Sequence, residues 1–99
     1  KVEIAESNLI TLRVNDKGEV FWNLGMDAPV KIEFTKLRGF IRERAQTNSK
    51  LVTLVKIDPK AKYETMVNIM DELNQADMQR FSVARMTELD QTLLANIKG

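Results

Sequence analysis

Neither cysteine nor histidine occurs in this chain of 99 residues. Their absence removes disulfides, thiolate zinc sites, thiol catalysis and the commonest proton shuttle near neutral pH. It leaves the compartment open, because a cysteine-free chain suits an oxidising space and the cytosol equally. Aromatic residues are few, with one Trp, one Tyr and four Phe, so aliphatic and Met side chains must fill most of the core. No apolar run approaches the roughly 18–20 residues of a membrane span. No signal peptide or initiator Met opens the sequence, so a chain starting at Lys1 is expected to be a fragment or a processed product. Charge of one sign is lacking too: 15 basic residues face 14 acidic ones, for a net charge of +1. A nucleic-acid-binding domain shows a stronger and more concentrated basic excess, and no such partner is expected.

Apolar residues make up 43% and charged residues 29%, an ordinary globular composition. The length suits one domain. Ile10, Leu12 and Val14 alternate with Thr11, Arg13 and Asn15, the period of a half-buried strand. Asn15-Asp16-Lys17-Gly18 then supplies a hairpin turn, and Glu19 to Leu24 resumes strand character with Val20, Trp22 and Leu24 on one side. Val30 to Phe34 reads as a short strand or an extended lead-in. Thr35 is a candidate cap for a helix from Lys36, with Leu37, Phe40, Ile41 and Ala45 on one stripe. Leu51 to Ile57 is the strongest strand, ended by Asp58-Pro59-Lys60.

Tyr63 to about Met78 predicts a second helix, with Tyr63, Met66, Val67, Met70 and Leu73 as its apolar stripe and Ile69 beside it. Arg80 to Met86 alternates as a further strand. Thr87 and Asp90 form a capping-box pair ahead of Leu89, Leu93, Leu94 and Ile97. The expected fold class is therefore α+β: a two-layer domain with a mixed sheet, two helices on one face, order β-β-α-β-α-β, and a tail that forms a short helix.

Catalysis is hard to assemble from this inventory, and no enzyme, cofactor or metal site is expected. Asp71 and Glu72 are adjacent on a helix and point different ways. Asp16 and Asp58 are explained by turn chemistry. Ser7, Ser49 and Ser82 lack a His to activate them. Four scattered glycines make no phosphate loop. The Met residues read as core filler. Trp22 has two readings, a core residue or, if exposed, a binding anchor.

Leu51 to Leu73, L-V-T-L-V-K-I-D-P-K-A-K-Y-E-T-M-V-N-I-M-D-E-L, resembles the periplasmic domain of the ExbD/TolR biopolymer-transport family. The matching pattern is a central strand, Asp58, a short spacer with Pro59, Tyr63, and then a helix in which Met70, Asp71 and Leu73 fit. Val67 stands one residue from the family's usual valine. The hairpin around Asp16-Lys17-Gly18 and the strand Phe81 to Ala84 also fit, so the resemblance runs from about Leu9 to Met86. Glu33 to Ser49 carries no family signature, and Thr87 to Gly99 is longer than the usual ending.

The resemblance implies a division into an N-terminal extension from a membrane anchor (1–8), a periplasmic domain (9–86) and a C-terminal tail (87–99). It implies a single-pass inner-membrane protein whose proton-handling Asp lies in a helix ahead of Lys1. Its implied partners are a second copy in a homodimer, an ExbB/TolQ-type channel subunit and a TonB- or TolA-type protein; TolR-type relatives are also associated with peptidoglycan. A small sheet with helices on one face leaves edge strands with unpaired backbone groups, ready to accept a second copy or an extended peptide. Two strands are candidates for that edge: one with Val20, Trp22 and Leu24, and one with Phe81, Val83 and Arg85. The alternative is a ferredoxin-like regulatory or ligand-binding module, which a small-molecule pocket between subunits would favour.

Overall fold

The structure is a computed structural model and describes residues 5–97. Lys1 to Ile4, half of the segment assigned to an N-terminal extension, lie outside the described residues, as do Lys98 and Gly99 of the tail. A 3-10 turn, Glu6–Asn8, leads into strand β1, Leu9–Val14. The Asn15 side chain shapes the hairpin turn by accepting from the N–H groups of Lys17 and Glu19 at 3.1 and 2.8 Å. Gly18 takes the positive φ of +82° that the turn needs. Strand β2, Val20–Leu24, returns antiparallel, with Ile10 opposite Leu24 and Val14 opposite Val20.

The chain turns again at Gly25, where a Cβ would stand 2.9 Å from the Cβ of Glu6. Strand β3, Val30–Ile32, then pairs antiparallel with β2. The segment that reads ambiguously in sequence is thus a third strand, only three residues long.

Helix α1 spans Phe34–Thr47. Its N-cap is Glu33, which makes no side-chain cap bond, and Thr35 sits within the first turn. The chain is still extended at Glu33, and the helix begins two residues earlier than the Thr35 cap predicts. Strand β4, Val52–Ile57, lies parallel to β1. Helix α2 spans Tyr63–Gln75 and ends where Asp77 adopts a positive φ of 60°. Strand β5, Phe81–Arg85, runs parallel to β4, and helix α3, Glu88–Ala95, follows.

The sheet order is β3-β2-β1-β4-β5. The register puts Ile10, Leu12 and Val14 on the same face as Val20 and Val55. Leu37 and Ile41 of α1 and Ile69 and Leu73 of α2 close over them in one buried cluster. Each fully buried Leu or Ile in it contributes roughly 1.5–3 kcal/mol. This is the mixed sheet with two helices on one face that the periodicity implies. The parallel β1-β4-β5 run and the leading three-stranded meander depart from the β-α-β-β-α-β order of a ferredoxin-like fold.

Arg13 and Lys56 project from the second face of the sheet, where they meet Asp90 of α3. Leu94 and Ile97 share a cleft with Phe21 and Lys31 on β2 and β3. Helix α3 therefore crosses the second face from the β5 side toward β3.

Candidate functional site at the free edge of β5

Strand β2 lies inside the sheet, between β1 and β3. Val20, Trp22 and Leu24 therefore form no edge, contrary to the expectation from sequence. The reason is β3, which pairs with Val20, Phe21 and Trp22 on the outer side of β2, while the Leu24 carbonyl accepts from the Asp27 N–H of the following turn. Val20 is buried, and Trp22 packs on Phe40 with ring centroids 4.7 Å apart under the guanidinium of Arg44. Trp22 is thus a half-buried member of the helix-covered layer.

Strand β5 is an edge, with no strand on its outer side among the described residues. The carbonyl of Arg80 accepts from the Thr53 N–H, and the Met86 N–H donates to Ile57, each at 2.9 Å. Successive residues of a strand alternate in the direction of their backbone groups. Ser82 and Ala84 therefore face β4 as well, and the N–H and C=O groups of Phe81, Val83 and Arg85 point outward. These are the three residues of the second candidate edge.

Beside this edge runs a groove of about 360 Å³ between β5 and the start of α2. Ile57, Met66 and Val83 give it apolar walls, Pro59 and Tyr63 stand at its rim, and Lys62 and Arg85 add positive charge. Tyr63 is 75% exposed and Val67, one turn on, is also exposed. The sequence assigns both to the core, but the buried face of α2 is formed by Ile69 and Leu73. The α2 stripe is rotated from the one expected, because residues at spacings of three and four define two overlapping stripes and only packing chooses between them. Met70 is half-buried, Leu73 is buried and Asp71 faces water.

Of the residues singled out for the resemblance, Asp58, Pro59 and Tyr63 converge on the groove, together with Val83 and Arg85. Phe81 lies further along the edge. Val67, Met70, Asp71 and Leu73 do not line the groove. Asp58 is buried and holds the loop in shape: one oxygen accepts from the Lys60 N–H at 2.8 Å, the other from the Gln91 amide of α3 at 3.0 Å. The Gln91 bond, followed by that of Lys60, holds its carboxyl below the usual aspartate range.

A second polar cluster went unread in the sequence. Asp90, almost fully buried, accepts from Arg13 Nε at 2.8 Å, from Lys56 Nζ at 3.0 Å and from the N–H and hydroxyl of Thr87 at 2.8 and 2.9 Å. Burial works to raise its pKa but is outweighed by the Thr87 N–H and then by the Arg13 and Lys56 bonds, so the carboxyl is held far below its usual range. The capping box was legible, but its meeting with residues 77 and 34 positions away was not. Glu19, bonded by Lys31 and Asn15, is also lowered. Among the described residues, the three carboxyl groups with lowered pKa values, Glu19, Asp58 and Asp90, each accept hydrogen bonds that favour the charged form. A further cleft, of about 660 Å³, lies beneath α3 against Phe21 and Val30.

These features define a class: a small two-layer α+β domain whose sheet has, at β5, a free edge beside an apolar groove. The sequence matches the family described as biopolymer transport protein ExbD/TolR over residues 2–88, and the chain belongs to that family. No curated protein matches it. The family is one of biopolymer transport and is membrane-associated, not an enzyme class. Among the described residues no helix is long and apolar enough to cross a membrane. The match stops at Glu88, so nearly all of α3 lies beyond it.

Proposed function

We propose that this domain is the periplasmic docking module of an inner-membrane ExbD/TolR-type protein, and that an extended segment of a TonB- or TolA-type partner adds to β5 as a sixth strand. In this reading the full protein works with an ExbB/TolQ-type channel and passes the proton gradient to that partner. The observation that carries the proposal is the outward row of backbone groups at Phe81, Val83 and Arg85, unpaired among the described residues and lying beside the groove at Tyr63. Backbone hydrogen bonds of an added strand supply attachment, and pockets for alternate side chains supply selection. A homodimer completes the proposal. The short opposite edge at β3, where Val30 is exposed, offers a second copy a place that leaves β5 free.

The test is titration of isotope-labelled domain with partner peptides, followed by amide shifts. Perturbations should concentrate on β5 and the first turn of α2. Val83→Pro removes an outward donor while sparing the β4 ladder, so it should abolish binding with the fold retained. Ser82→Pro removes an inward donor and should damage the sheet itself. Shifts centred on the cleft beneath α3, with β5 silent, would overturn the proposal. Sedimentation equilibrium reads the dimer directly, and a monomer at high micromolar concentration would remove that part.

A further inference from the structure

The β5 groove has a charge as well as a shape. Lys62 and Arg85 line it, and Lys60 stands exposed in the loop two residues before Lys62. Among the described residues the ion pairs join Arg13 and Lys56 to Asp90, Lys31 to Glu19, Lys36 to Glu33 and Arg38 to Glu72. Lys60, Lys62 and Arg85 belong to none of them, and neither does Arg80 at the other end of the edge. The one carboxylate that lines the groove, Asp58, has both oxygens occupied by Lys60 N–H and Gln91. Glu64 and Glu88 are exposed nearby in sequence but do not line it. The wall of the groove is therefore apolar and its open charges are positive.

This pattern separates two occupants of the edge. A second copy of β5 would bring Arg80 and Arg85 against the same pair of cations, and basic residues on an edge strand are a known guard against self-pairing. An acidic strand meets the opposite situation. We propose that the β5 groove selects an extended segment with apolar residues on the side facing Met66 and Val83 and with carboxylate side chains at the end lying against Lys62 and Arg85. The inference rests on the strand-addition reading above and adds the chemistry of the partner to it.

The experiment uses three capped peptides with the same alternating Val-Thr body, carrying at one end two Glu, two Gln or two Lys; each is made with the charged pair at the N-terminal and at the C-terminal end. Amide shifts of the labelled domain locate binding and give affinities at low and high salt. The Glu peptide should bind about tenfold or more tighter than its Gln counterpart at low ionic strength, with the Lys peptide weakest. The difference should shrink as salt shortens the screening length to about 8 Å at 0.15 M. The double variant Lys62→Gln, Arg85→Gln should erase the Glu preference, bringing the Glu and Gln peptides to the same affinity. Equal affinities for Glu and Gln peptides at β5 would overturn the charge selection and leave strand addition standing. Absence of β5 shifts with every peptide would overturn both. Shifts at β5 that grow with protein concentration alone would show a second copy on the edge and overturn the acidic occupant.

Discussion

Replacing Asp90 by Asn tests the account of how α3 is held. The carboxylate caps its own helix and bridges two strands, accepting from Thr87, Arg13 and Lys56 together. An amide of the same shape removes the charge and turns a donor toward two cations. Removing one partner of a buried ion pair costs about 3–5 kcal/mol. Arg13 and Lys56 keep 11% and 22% of their side-chain exposure, so the stranded cations recover some hydration. The expected loss is therefore about 2–4 kcal/mol, a large share of the roughly 5–15 kcal/mol of a typical domain. Urea unfolding at pH 7 measures it. The pH dependence gives a second reading. The folded pKa of Asp90 is depressed, so its contribution is fully present above the unfolded value near 3.9 and is lost as pH falls toward the folded value. The gap between wild type and Asp90→Asn should thus narrow on acidification from about pH 5. A gap under about 0.5 kcal/mol at pH 7, the range of ordinary surface changes, would refute the reasoning, as would one that widens in acid.

Three further outcomes are expected. The Thr53 hydroxyl is fully buried without a hydrogen-bond partner, so Thr53→Val should raise stability by about 1 kcal/mol or more in denaturant unfolding. Gly25→Ala should lower the melting temperature by the equivalent of at least about 1–2 kcal/mol, because φ is +56° and the added Cβ meets Glu6. Ile69→Ala should cost about 2–5 kcal/mol, whereas Tyr63→Ala should fall within about 0.5 kcal/mol of wild type by the same assay.

Much of the architecture was legible because hydrophobic period and turn chemistry agree locally. Alternation through Leu12 and Val14, the Asn15–Gly18 turn, the β-branched run of β4 and the Thr87–Asp90 box each name their element without tertiary help. Failures came where local signals were short or degenerate. Three residues at Val30–Ile32 are too few to show a period, and a segment left open between strand and lead-in made β2 look like an edge. The α2 stripe was found but rotated, since Tyr63 and Val67 satisfy helical spacing as well as Ile69 and Leu73 do. Of the candidate site, Asp58, Tyr63, Val83 and Arg85 were named, but their shared groove depends on β5 lying parallel to β4, a long-range pairing that no local pattern encodes.

The position of β1 has a mechanical consequence. It is the strand nearest the start of the chain, and it sits third in a sheet of five, tied by an antiparallel ladder to β2 and by a parallel ladder to β4. A load entering from the N-terminal side acts along that strand, and drawing it out requires both ladders to shear at once. Strand β5 is tied to one neighbour alone and can be peeled away bond by bond. A load applied at the N-terminal end would therefore meet a strand held on both sides, while the edge proposed to engage a partner lies two strands away from that line of force.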